Sequence, residues 1–185
     1  MGLRIVNLKH IVTALGFVLL LCGQTLAQRA PAELFEQLQT APPIEAKRIE
    51  REIETAWSRS GSPTMDLLLK RGREALEEDD IPLAIEHLTA LTDHAPDFAE
   101  GFHLRALAYY RAELYGPAMD DLEMTLALNP EQYNAIFGFA AMVQEFGDLA
   151  AASKLYRRVL ELNPHHENAQ KALDALRRDG IGRTL

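Results

Sequence analysis

Apolar residues recur at three- and four-residue intervals through most of this chain. Leu155, Tyr156, Val159 and Leu160 keep that spacing, and Leu67, Leu68 and Ala75 start another such stripe. One face of a helix returns every 3.6 residues, whereas a strand alternates every two, and no stretch here alternates convincingly. The pattern predicts an all-α chain whose apolar stripes serve helix–helix packing.

The stripes themselves repeat. Pro96, Pro130 and Pro164 stand 34 residues apart, a period that marks a helical repeat array. With each proline at position 32, the units are 65–98, 99–132 and 133–166. Position 8 is then Gly72, Ala106 and Ala140, and position 20 is Ala84, Ala118 and Ala152. Small residues recur where two helices must approach closely. Position 24 supplies the large partners, Leu88, Leu122 and Tyr156. Each proline ends a helix and pushes the residue before it into an extended conformation. Turns inside the units fall at Glu78-Asp79-Asp80, Leu114-Tyr115-Gly116 and Phe146-Gly147-Asp148.

Over residues 65–166 this arrangement resembles the tetratricopeptide repeat family. The third unit, with Gly147-Asp148-Leu149, Tyr156 and Leu162-Asn163-Pro164, is nearest the family pattern. The first departs most, with Arg71 where a leucine is usual and Ala75 where an aromatic is usual. The resemblance implies an α-solenoid of three helix pairs in a right-handed superhelix, a scaffold with no particular ligand.

The flanks read differently. Residues 28–64 hold two short amphipathic helices, Pro31 to Leu38 and Ile44 to Ser58, the second with Ile49, Ile53, Ala56 and Trp57 on one face. In the repeat frame this pair puts Glu50 at the small position 20, so it is not a further unit. It is expected to be an N-terminal cap over the exposed flank of the first repeat, with Trp57 in its core. Residues 167–178 are expected to form a C-terminal capping helix with Ala169, Ala172, Leu173 and Leu176 inward, and 179–185 are expected to be a loose tail.

Residues 1–27 have the order of a secretory signal peptide: basic Arg4 and Lys9, an apolar run from Ile11 to Cys22, then Thr25 and Ala27 as small residues before a cut. The run falls short of the roughly 20 residues that a permanent span needs, so no stable membrane span is expected after cleavage. The mature chain is expected to be periplasmic or secreted and to contain no cysteine, since Cys22 is the only one. That excludes disulfides, thiolate nucleophiles and cysteine metal sites. The formal charge of −8 becomes −10 once Arg4 and Lys9 leave. Such acidity argues against nucleic acid and disfavours anionic membranes.

Catalytic signatures are missing. There is no His-Glu-x-x-His, no glycine-rich phosphate loop and no nucleophile elbow. His165-His166 follows Pro164 in a turn, a poor arrangement for two ligands to one metal. Asp79-Asp80 and Asp120-Asp121 read as a solvated turn and a solvated helix face. No enzyme activity, metal or cofactor is expected.

What remains is a surface. In the repeat family the concave face is lined by the first helix of each unit, chiefly at positions 2, 5, 9 and 12. The contacts expected here are Arg73, His103, Tyr110, Asn134 and Phe137, in a groove that suits another protein as an extended peptide or a helix. Family members that clamp the C-terminal carboxylate of heat-shock chaperones need lysine and asparagine where this chain has Leu69 and Arg73, so that clamp is not carried over. The leading expectation is an adaptor or assembly factor for an envelope enzyme or complex. The alternatives are a subunit that self-associates through its repeat edges, and a groove that captures a small molecule or cell-wall fragment. N-terminal sequencing of exported protein should read Gln-Arg-Ala-Pro, starting at Gln28; an intact Met1 on cytoplasmic protein refutes the signal.

Overall fold

The computed structural model describes residues 32–178. The expected signal at 1–27 and the expected tail at 179–185 lie outside the described residues. Within them the chain forms nine helices and no strand: α1 (Ala32–Thr40), α2 (Pro43–Trp57), α3 (Pro63–Glu77), α4 (Ile81–His94), α5 (Ala99–Arg111), α6 (Tyr115–Leu128), α7 (Tyr133–Glu145), α8 (Leu149–Leu162) and α9 (Glu167–Arg178).

Six of these pair off by the repeat: α3 with α4, α5 with α6, and α7 with α8. Each pair is closed by the same turn. Asp79, Glu113 and Gly147, all at position 15, adopt left-handed backbone with φ of 60°, 60° and 91°. The next amide reaches back to the carbonyl five residues earlier, in Asp80 to Ala75, Leu114 to Tyr109 and Asp148 to Val143. This is the helix-ending motif in which a left-handed residue lets two late carbonyls find donors. Gly147 adopts it freely, while Asp79 and Glu113 do so against the preference of a side chain. At the unit ends, Ala95, Asn129 and Asn163 take φ near the extended range (−134°, −137° and −134°) ahead of their prolines.

Positions 8, 20 and 24 meet as the sequence suggests. Ala84, Ala118 and Ala152 are fully buried, and Leu88, Leu122 and Tyr156 are at most 4% exposed. Contact is tightest in the first unit, where a β-carbon on Gly72 would lie 2.6 Å from Leu88 Cγ. Real side chains do not tolerate that distance, so glycine here is a packing requirement.

The N-terminal pair departs from expectation. Leu38, Ala46, Ile49, Ile53 and Trp57 share one core with Tyr133, Ile136, Ala140, Tyr156, Val159 and Leu162 of the third unit and with Ala169, Leu173 and Leu176 of α9. The first unit packs in a separate core with Phe98, Leu104 and Ala108. The hairpin therefore covers the third unit and the C-terminal helix rather than the flank of the first. Its apolar face finds the aromatic surface of Tyr133, whose ring lies 5.0 Å from that of Trp57 and 6.4 Å from Phe35. The clustered rings bury large apolar area at this contact.

Two glycines with opposite surroundings test the packing. Gly72→Ala should destabilise the fold by about 1–3 kcal/mol despite alanine's better helix propensity. Gly138→Ala, whose nearest neighbour would be Leu122 Cδ2 at 3.8 Å, should stabilise by about 0.5–1 kcal/mol. Thermal melts of the two variants moving in the same direction refute this account.

Candidate functional site

Helices α5 and α7, the first helices of the second and third units, stand side by side and enclose a cavity of about 260 Å³. Its walls are His103, Ala106, Leu107 and Tyr110 from α5, Leu122 from α6, and Asn134, Phe137, Gly138, Ala141 and Met142 from α7. Four of the five expected contacts thus meet in one place. Leu107 and Tyr110 are each 38% exposed at its mouth. Gly138 and Ala141 leave the space open because neither has a side chain long enough to fill it. No carboxylate, lysine or arginine lines the cavity.

Arg73 is not among them. Its guanidinium donates to Glu100 Oε1 at 3.2 Å and to Ser58 Oγ at 3.1 Å. Nor is Asn134 free, since its Nδ2 donates to Glu54 Oε1 at 3.1 Å. Both partners, Ser58 and Glu54, come from α2 or its end. The concave face is therefore not an open trough lined by first helices alone. The N-terminal hairpin lies along part of it, and further bonds hold it there. Asn163 Nδ2 donates to Glu50 Oε1 at 2.7 Å, and Gln39 Nε2 donates to the carbonyls of Glu161 and Leu162. A second, polar cleft of about 570 Å³ runs between α2, the start of α7 and the Asn163–Gln170 segment.

The remaining expected contacts have partners within the array. The Tyr110 hydroxyl donates to Glu145 Oε2 at 3.0 Å, which raises its pKa above the ordinary tyrosine value. The Phe137 ring packs 5.6 Å from Tyr156 and 4.9 Å from His166. Among the described residues, no three His, Asp, Glu or Cys side chains gather closely enough to hold a metal ion, and no helix is long and apolar enough to cross a membrane.

Known proteins agree with the architecture. No family model matches the chain. It is 32% identical over 145 residues to a TPR repeat-containing protein of Rhizobium etli, covering 78% of this chain and 71% of that protein. This chain belongs to the tetratricopeptide repeat (TPR) proteins. The first TPR of Spaghetti (RPAP3), solved with the HSP90 peptide SRMEEVD, superposes with a TM-score of 0.59 at 27% identity, over 62% of this chain and 91% of that one. The Sgt2 TPR domain of Aspergillus fumigatus gives 0.59 at 22% identity, over 64% and 80%, and shares the fold. Human serine/threonine-protein phosphatase 5 is 28% identical over 115 residues, and the chain spans only 23% of its length.

Several polar residues of this TPR chain have roles that its sequence did not announce. Asp121, expected on a solvated helix face, is 6% exposed. It accepts from Arg105 Nε at 2.7 Å and Nη2 at 2.8 Å, a bidentate pair that raises the arginine's pKa. Glu100, 8% exposed, gathers Arg73, Gln132 and His103 around one carboxylate. His166 caps α9: its Nδ1 accepts from the Ala169 amide at 3.1 Å, three residues into the helix. That spacing from the turn to the helix start was the one available signal. Burial lowers the His166 pKa, opposed by a backbone hydrogen bond and then by Glu50.

The lowered pKa sets a pH dependence. The native imidazole resists the proton that the unfolded chain takes up, so stability is full above about pH 6.5 and is lost as pH falls through that value. His166→Asn keeps an acceptor for the Ala169 amide and should flatten the wild-type decline in urea midpoint between about pH 7.5 and about pH 5. Parallel profiles for the two proteins rule the histidine out as the source.

Proposed function

We propose that this TPR chain is a non-enzymatic, protein-binding scaffold of the periplasm that helps to assemble or recruit an envelope enzyme or complex. The binding part rests on one observation, the cavity that gathers His103, Tyr110, Asn134 and Phe137 between α5 and α7. An apolar socket on a stiff pair of helices suits one large side chain of an extended peptide or a partner helix. At about 260 Å³ it is smaller than the roughly 300–1,000 Å³ of small-molecule sites, so the small-molecule alternative belongs to the polar cleft of about 570 Å³ beside α2 and not to this socket. The periplasmic part rests on the signal pattern of residues 1–27.

The likeness to a TPR solved with an HSP90 peptide supports a peptide as ligand in kind. The partner's chemistry differs. Leu69 is 2% exposed and Arg73 is bonded to Glu100, so nothing at those positions is offered to a terminal carboxylate. The hairpin across part of the concave face also shortens the groove, so a bound segment is confined to the stretch beside α5 and α7.

Affinity capture from envelope extract with the mature chain supplies the partner. Leu107→Arg, at an exposed position on the mouth, puts a charge into the socket without disturbing the core, and Phe137→Ala removes an aromatic wall. Each should weaken binding about tenfold or more from an affinity on the order of micromolar. No carboxylate, lysine or arginine lines the socket, so affinity should change little with salt. Full retention of the partner by a Leu107→Arg chain that is helical by circular dichroism moves the site elsewhere. A mature chain that runs as an oligomer without any partner favours the self-associating alternative.

A further inference from the structure

The rim formed by the turns inside the units carries apolar side chains that the fold does not use. Phe146 is 61% exposed and Leu114 is 46% exposed. Phe146 forms a ledge with Tyr110 and Tyr115, the Tyr110 and Tyr115 rings 5.8 Å apart and the Tyr115 and Phe146 rings also 5.8 Å apart, edge to face, and Leu114 precedes Tyr115 in the same turn. Position 16 makes the point most clearly. In the first and third units it is Asp80 and Asp148, which accept from the amides of Leu83 and Ala151 and so cap α4 and α8. In the second it is Leu114, which caps nothing. An exposed leucine stands where the other two units have a capping side chain, and an exposed phenylalanine, Phe146, stands where the first unit has the polar Glu78 in the same kind of turn.

The surroundings are one-signed. The three turns contribute the acidic run Glu77 to Asp80, then Glu113, then Glu145 and Asp148, all outside the core. The only cation in these turns is Arg111, and it is held by the Leu76 carbonyl at 2.7 Å and by Asp79 at 3.8 Å. Exposed aromatic rings edged by carboxylates fit a chain that brings large apolar side chains together with lysine or arginine. The cation can stack on a ring face while its charge meets the acids.

We propose that this ledge is a second docking surface, for a basic, apolar segment of a partner protein. It adjoins the socket and differs from it in charge. Of the ledge residues only Tyr110 also lines the cavity. The ledge is charged where the socket is neutral, so its binding falls with salt and the socket's does not.

The test uses the full mature chain and a short fluorescein-labelled peptide alternating leucine and arginine, with two controls of equal length, one replacing each arginine by glutamate and the other each leucine by serine. Fluorescence anisotropy should show binding of the leucine–arginine peptide alone, weakened about tenfold by raising salt. The variant Leu114→Asp with Phe146→Ser restores a cap at position 16, so it should stay folded, and it should lose about tenfold in affinity. A charge-neutral companion, Leu114→Asn with Phe146→Ser, should lose as much, which separates lost apolar contact from added charge. Absence of binding, equal binding of the serine peptide, or undiminished binding by both ledge variants overturns the proposal. Loss only in Leu107→Arg also overturns it, by placing the peptide in the socket and leaving the groove reading standing. An oligomer of the wild-type chain that dissociates in the ledge variants overturns it in favour of a second copy of this chain as the occupant.

Discussion

The close approach of the two helices in each unit is the constraint on which the rest depends. It requires a small residue at positions 8 and 20 and a large one at 24, and each unit supplies them. Where the small residue is reduced to glycine, at Gly72, Leu88 moves in until no β-carbon fits. This contact sets the angle between paired helices, and repetition of the angle carries α3, α5 and α7 onto one face. Residues as far apart in sequence as His103 and Phe137 come to line one cavity only because the same contact recurs 34 residues later.

That dependence explains what was legible in advance. The period, the small–large alternation and the prolines are properties of each unit, and they can be read by aligning the chain with itself. Four of the five expected groove residues meet for the same reason. The N-terminal hairpin has no such internal copy. Its stripe of Ile49, Ile53 and Trp57 states that a face is hidden, and periodicity carries no information on what hides it. The answer lay in Tyr133 and Asn163, residues that look like ordinary members of the repeat until Trp57 and Glu50 are found against them.

Buried polar residues were the other blind spot. A lone carboxylate on a helix is solvated by default, and Asp121 becomes internal only when Arg105, on the preceding helix, turns toward it. A paired, buried charge is weak evidence for net stability, but removing one partner strands the other at a cost of about 3–5 kcal/mol. Asp121 and Glu100 thus tie α5 to α6 and to α3 through bonds that cannot be cut on one side alone without cost. Glu100 in particular ties the first unit, through Arg73, to the end of the second, through Gln132.

Function on such a scaffold is best sought where a residue serves the fold poorly. Most apolar side chains of this chain are consumed by packing, and most acids on its turns cap helices or meet water. Leu114 and Phe146 do neither, and Leu107 stands at the mouth of a cavity whose floor the fold leaves unfilled with Gly138 and Ala141. The neutral socket and the acidic ledge meet at Tyr110, whose ring borders both and whose hydroxyl is steadied by Glu145. A partner segment long enough to use both would place an apolar side chain between α5 and α7 and its basic residues over the rim. The two sites would then act as linked contacts on one rigid body, and the combined affinity would exceed that of either alone through the raised effective concentration of the second contact once the first is made.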